Sequence, residues 1–189
     1  MTFIALATAG EVDGEAAAWV AACVESALGI EARFVEPFPP PGYAFDPARG
    51  QYSSTLILHD ALRRVPAGAS KMLVLTEADL FIPMLSFVYG QAQLGGTAAV
   101  VSLARLHQRF YGLPENRPLL FVRVRKEALH ELGHAYGLTH CEDRLCTMSL
   151  STGIQQLDMK GAGFCDGCAV LLREVTGAAA RAASIESGG

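Results

Sequence analysis

Positive charge is missing where a secretory leader or a nucleic-acid binder would need it. No Lys or Arg precedes Arg33, so the opening MTFIALATAG lacks the basic start of a leader, although ATA mimics a cleavage site. Its apolar run is short and meets Glu11; a buried first strand and a cytoplasmic protein are expected. No apolar stretch approaches the roughly 20 residues of a membrane-spanning helix. The densest basic patch, residues 123–126, is interleaved with apolar side chains, and the net charge is -4. Neither suits a phosphate-tracking stripe, so no nucleic-acid partner is expected. There is no internal repeat and no Gly-rich phosphate loop. At 189 residues, 51% hydrophobic and 18% charged, the chain suits one globular domain, expected to act as a monomer.

Cysteine and histidine are also few, but they are concentrated. Of five cysteines, four (Cys141, Cys146, Cys165 and Cys168) fall in the last third, unlike a disulfide framework spread through a small secreted chain. Cys23 stands alone in an alanine-rich stretch and reads as a small buried hydrophobe. Three of the five histidines lie in HELGHAYGLTH, from His130 to His140.

Patterning along the chain places these motifs. Residues 2–8 read as a strand. Residues 14–28 read as a helix closed by Gly29, and 31–35 as a second strand. PFPPPGY cannot be helical. Residues 53–64 have helical spacing with Pro66 and Gly68 as stops, and 71–75 form a third strand. Residues 87–91 and 97–103 are two further extended runs, with Gly95-Gly96 between them as a hairpin signal. This alternation predicts a mixed, mostly parallel sheet with helices packed on it. Residues 118–136 read as a helix, with Pro118 at its start, Leu119, Val122, Leu129 and Leu132 on its apolar face, and Gly137 as its stop. Residues 168–175 could form a last short helix.

His130, Glu131 and His134 form HExxH. On a helix, positions i and i+4 share a face, so both imidazoles can point at one ion. Glu131 is then close enough to touch a metal-bound water without being a ligand. Gly137 can turn the chain sharply and bring His140 back to the same ion. Three neutral histidines leave room for water or substrate, as in catalytic zinc rather than closed structural zinc. Zinc so held would polarise a peptide carbonyl and acidify its water, and Glu131 would carry the proton to the leaving amine. A plainer reading makes the histidines helix caps that satisfy loop carbonyls. His59 and His107 have no partner at a recognisable spacing and read as ordinary histidines. A zinc nucleobase deaminase is excluded, because its signature needs a residue between histidine and glutamate.

Cys141 and Cys146 form CxxxxC, and Cys165 and Cys168 form CxxC around Asp166 and Gly167. Two such knuckles suit a four-thiolate zinc site, which is closed and therefore structural. An iron–sulfur cluster or disulfides are rival uses of the same four residues.

Side by side, HELGHAYGLTHC, EDRLC, TM and CDGC resemble the signature of the archaemetzincins, a branch of the metzincin zinc metallopeptidases. The resemblance implies two zinc ions per chain. His130, His134 and His140 would hold the catalytic one, with Glu131 as general base. Cys141, Cys146, Cys165 and Cys168 would hold the structural one. It also implies that Met148 is the methionine of the turn underlying the metal. Leu150 stands where some other metzincins carry a metal-reaching tyrosine, so no such switch is expected. Weaker likeness extends to RGQYSS, TEADLF and VSLARL.

The implied fold is α/β: a mixed, mostly parallel sheet with an antiparallel edge strand, packed on helices that include the HExxH helix, plus a small zinc-bound C-terminal subdomain. Residues 1–189 would form one catalytic domain. Within it, 1–137 would end in the zinc-binding helix, 138–175 would form the zinc-stabilised part, and 176–189 a flexible tail. The run 87–91 would be the edge strand above the cleft, with Gly90 and Gln91 as candidate contacts to substrate backbone; an edge strand without a ligand is the equal alternative. The expected function is zinc-dependent hydrolysis of a peptide or protein substrate, as aminopeptidase or endopeptidase. The alternative is a catalytically weak peptide-binding module of metzincin shape. Glu131 favours the enzyme, since a binding module needs no base.

Overall fold

Strand β1 (Phe3–Ala9) is apolar at every position but Thr8 because its sheet is covered on both faces. Alternate side chains divide between two cores. Ile4 and Leu6 pack with Val20 and Val24 of helix α1 (Gly14–Leu28) and with Val124 and Leu129 of helix α3 (Arg117–Ala135). Ala5 and Ala7 share the opposite core with Ile57 and Ala61 of helix α2 (Ser54–Arg63). The five-stranded sheet runs β2–β1–β5–β8–β7. Strands β2 (Ala32–Phe34), β5 (Ala69–Thr76) and β8 (Ala98–Ser102) lie parallel to β1, while β7 (Gly90–Ala92) is antiparallel at the edge. This is the mixed, mostly parallel α/β architecture expected from the sequence. The computed structural model describes residues 2–177; the expected tail lies outside them from residue 178 onward. Among the described residues, no helix is long and apolar enough to cross a membrane.

Helix ends follow their capping residues. Asp13 Oδ1 accepts from the Glu15 and Ala16 amides at 2.8 and 3.3 Å, and Gly29 closes α1 at φ +64°. Asn116 Oδ1 accepts from Leu119 N at 3.0 Å at the start of α3, just before Pro118. Short elements escaped the sequence pattern. A second, three-stranded sheet joins β3 (Phe45–Asp46), β4 (Gln51–Ser53) and β6 (Leu80–Phe81). Strands of two or three residues are too short to show a period. Helix α4 (Ile154–Met159) has no side-chain cap at Gly153 to announce it. The last helix, α5 (Asp166–Thr176), begins at the second cysteine knuckle.

The face expected of α3 needs correction. Val122 is exposed, whereas Arg123, Lys126 and Glu127 are buried with Leu120, Val124 and Ala128. The charges turn inward because each has a partner. Arg123 binds both Asp158 oxygens at 2.7 Å and donates to Leu106 O at 2.8 Å. Lys126 Nζ donates to the carbonyls of Leu157 and Asp158 at 2.9 and 3.0 Å. Thus α4 is fastened to α3 by buried polar bonds, which hydrophobic periodicity does not foresee.

His107 lies in the VSLARL-proximal turn and is 5% exposed. Its Nε2 faces Glu77 at 3.1 Å and its Nδ1 faces Glu115 at 3.2 Å. The Glu77 carboxylate is the main cause that raises its pKa above the usual histidine value, against burial, which lowers it. A raised folded-state pKa gives stability that is fully present below the unfolded value near 6.5 and lost as pH rises through the folded value. His107→Gln is therefore expected to flatten the fall in urea midpoint on the alkaline side of pH 6.5. An unchanged pH profile in the variant would refute the assignment.

Candidate metal centres and active-site cleft

Helix α3 ends in a motif that orients a histidine. Gly137 sits at φ +96°. Its amide donates to His134 O at 2.8 Å, and the Leu138 amide donates to Gly133 O at 2.9 Å. This is a Schellman closure, which requires a left-handed residue at that position. The Leu138 carbonyl then accepts from His134 Nδ1 at 2.7 Å. His130 Nδ1 likewise faces the carbonyl of Thr147 at 2.9 Å. A carbonyl only accepts, so both Nδ1 atoms carry the proton and both Nε2 atoms present lone pairs.

Those two Nε2 atoms lie 3.1 Å apart. Two lone pairs at that distance repel unless a cation lies between them. Metal–nitrogen distances of about 2.0–2.1 Å place tetrahedral ligands roughly 3.3 Å apart, close to what is seen. His140 completes the cluster, and one nitrogen from each of the three residues lies within 4.8 Å of the others. Burial pushes the His130 pKa down to about 3, and burial also lowers that of His140. Both are neutral at pH 7, as a ligand must be.

The four cysteines form a separate cluster, with their sulfurs within 4.8 Å of one another. Cys141 and Cys165 Sγ are 3.8 Å apart, the edge of a tetrahedron with metal–sulfur bonds of about 2.3 Å. None of the described cysteines forms a disulfide. The Met148 and Cys165 amides point at Cys146 Sγ at 3.4 and 3.3 Å, stabilising a thiolate. Cys165 caps the N-terminus of α5 and Cys168 lies in its first turn, where the helix dipole favours negative charge. Cys23 lies apart, buried in α1 as expected.

The two clusters share a scaffold. Cys141 follows His140 directly, and its amide donates to Met148 O at 3.0 Å. Met148 is fully buried against Gly133. A Cβ on Gly133 would lie far inside contact distance of Met148 Sδ and 3.4 Å from Phe164 Cε1. Gly133 is a residue that the sequence reading missed, although glycine inside a helix is a signal, since it costs about 1 kcal/mol relative to alanine and needs a packing reason. Gly133→Ala is expected to destabilise the fold by about 1–3 kcal/mol through overpacking, measured by urea unfolding. Shortening Met148 to Ala in the same chain should relieve part of that loss.

A cleft of about 420 Å³ opens beside the histidines. Its floor is His130, Glu131 and His134, one rim is residues 85–92, and the other is residues 150–152 with Lys160. Glu131 is 5% exposed. Burial pushes its carboxyl well above the usual carboxylate range; Glu127 adds to the rise and Lys160 opposes it. Gly90 allows the rim to reach it, because a Cβ there would lie 2.6 Å from Glu131 Cγ and 2.7 Å from Val100 O. Gln91 also lines the cleft, but its side-chain oxygen accepts from Ser54 Oγ of α2 at 2.7 Å. Leu150 lines the opposite rim.

The supports of the first rim gather the three upstream segments. Asp79 of TEADLF binds Arg105 of VSLARL at 2.6 Å and Gln51 of RGQYSS at 3.0 Å. Gln51 also donates to Ser86 O at 3.0 Å. The β7–β8 turn is tied in as well, with Gly95 N donating to His134 O at 2.9 Å and Lys71 Nζ to Gly96 O at 2.6 Å. Sequence likeness marked these segments but not their roles.

Comparisons with known proteins agree with this geometry. Residues 58–174 match the model for Peptidase family M54. The archaemetzincin of Methanocaldococcus jannaschii is 44% identical over 134 residues, spanning 71% of this chain and 73% of its own. The crystal structure of archaemetzincin from Methanopyrus kandleri superposes with a TM-score of 0.80 at 35% identity, covering 92% of this chain and 94% of that one. That of Archaeoglobus fulgidus archaemetzincin, complexed with malonate, gives 0.77 at 30% identity, covering 90% and 99%. With both metal-binding clusters in place, the chain belongs to the archaemetzincin family of metzincin-type zinc metallopeptidases.

Proposed function

We propose that the chain hydrolyses peptide bonds in this cleft, with His130, His134 and His140 holding a catalytic zinc and Glu131 as general base. Cys141, Cys146, Cys165 and Cys168 hold a second, structural zinc. The observation that carries the reading is the pair of histidines whose Nδ1 atoms face carbonyls and whose Nε2 atoms meet 3.1 Å apart. Zinc bound there supplies Lewis acidity and brings water into the neutral pKa range.

The protein's own groups do the rest. Glu131, buried with a raised carboxyl pKa, accepts the proton of the attacking water and delivers it to the leaving amine. Thr147 O and Leu138 O hold the two imidazole planes in register. Met148 supports the helix from beneath. The outer edge of β7, at Gly90 and Gln91, lies beside the cleft and can align an extended substrate by strand addition.

The chain acts as one catalytic domain, in which residues 138–175 close around the cysteine-bound ion. It works as a monomer on peptide or protein substrates, without nucleic acid. Four reduced cysteines serving as metal ligands fit a cytoplasmic setting.

Elemental analysis with graded chelation tests the assignment. Two zinc ions per chain are expected, one removed by mild chelation together with peptidase activity and restored on adding zinc back. One tightly held zinc with function unaffected by chelation would favour the peptide-binding alternative.

A further inference from the structure

Among the described residues, few buried side-chain atoms lack a well-directed hydrogen bond, and three of them, Tyr89 Oη, Glu127 Oε1 and Ser151 Oγ, belong to residues lining the cleft. The hydrolytic steps above use none of them. Glu127 precedes Glu131 by one turn of α3 and is 3% exposed. Lys160 Nζ stands 3.2 Å from Glu127 Oε1, at ion-pair distance but without hydrogen-bond geometry. It also donates to Ser149 O at 3.3 Å, two residues before Ser151. Lys160 is 2% exposed, and no other Lys or Arg of the described residues lines the cleft. An ammonium has three donors; Ser149 O takes one and Glu127 Oε1 lies off the hydrogen-bonding direction, so donor capacity remains for a ligand.

Buried polar atoms are almost always paired, so atoms without a partner at a cleft wall call for an explanation, and a group that arrives later is one. We propose that Glu127, Lys160 and Ser151 form a subsite for a neutral carboxamide side chain of the substrate, Gln or Asn, next to the scissile bond. The proposal rests on the peptidase reading and names the substrate class for that cleft. The charges of Glu127 and Lys160 cancel. An acidic or basic side chain would shed its hydration to meet a like charge beside its partner. An aliphatic side chain would cover the open oxygens and leave them unpaired. A carboxamide carries N–H groups for Glu127 and a carbonyl for Ser151 or Lys160.

The test separates this subsite from the hydrolytic reading. Zinc-loaded Glu131→Gln protein is titrated by calorimetry with four capped pentapeptides that differ only in a central Gln, Leu, Glu or Lys. The Gln peptide is expected to bind about tenfold or more tighter than the other three. In the double substitution Glu127→Leu with Lys160→Met, which replaces a buried ion pair by apolar groups of similar size and should spare the fold, the Leu peptide is expected to lead. Ser151→Ala, a milder change, is expected to weaken the Gln peptide alone. Equal affinities, no binding by any peptide, a leading Glu or Lys peptide, or an order unchanged by the double substitution would overturn the subsite. If the Gln peptide leads but the unmutated enzyme cleaves no peptide, the hydrolytic reading falls and the subsite stands. If the unmutated enzyme cleaves peptides with no preference for Gln or Asn near the cut, the subsite falls.

Discussion

Glu131→Gln is expected to reduce peptide hydrolysis by about 10³-fold or more, within or beyond the range a positioned general base contributes, while zinc content stays at its wild-type value. The substitution keeps the shape of the side chain, so the contact with Gly90 across the cleft is preserved. It removes only the capacity to accept a proton. Stability moves the other way from activity. The carboxyl is buried, and its desolvation opposes the charged form. A neutral amide avoids that cost, so the unfolding midpoint at pH 7 should hold or rise. Retained turnover, or loss of zinc along with turnover, would show that Glu131 is not the base.

Cys141→Ser or Cys168→Ser is expected to remove the structural zinc and to weaken zinc binding at the histidines by about 10–100-fold, the usual cost of losing groups that orient metal ligands. The path is short. The turn that contains Cys146, Thr147 and Met148 both presents a thiolate and supplies the carbonyl that fixes His130. The Cys141 amide grips the same turn through Met148 O, and Thr147 N reaches Gly163 O at 2.8 Å, just before Cys165. When the thiolates lose their ion, that turn loses its reason to be ordered, and His130 loses its fixed tautomer. Competition against a chelator, followed by metal content, measures the effect. Wild-type affinity at the histidines in either variant would mean that the two centres are neighbours without coupling.

The histidines and cysteines of both clusters were legible because metal chemistry restricts residue type and spacing together. HExxHxxGxxH can hardly be satisfied otherwise than by a helix, a left-handed stop and a returning loop, and Gly137 has that conformation. The sheet order was legible in outline, since strands buried on both faces read as apolar runs. What stayed hidden was pairing between distant segments. Nothing in the local pattern shows that Arg123 will be buried on Asp158, or that Lys160 will reach Glu127. Periodicity places Val122 on the apolar face of α3, because it weighs hydrophobicity and cannot see that Arg123 has a partner 35 positions away. Gly90 was singled out as a substrate contact. What the structure adds is steric: only a residue without a side chain lets the rim pass over Glu131.

The bond from Gly95 to the carbonyl of His134 ties one end of the first rim to α3, while the other end is held by Arg49 and Gln51. The hairpin turn is held by the very helix end that carries His134, so lengthening it would disturb the histidines. Residues 82–86, by contrast, include Met84 at 88% exposure and Leu85 at 51%. They are held by Arg49, which donates to Pro83 O and Leu85 O, and by Gln51, which donates to Ser86 O, and none of these bonds involves a residue of the two clusters. Selectivity can therefore be re-engineered there, by grafting loops of different reach, while the reaction centre is left alone.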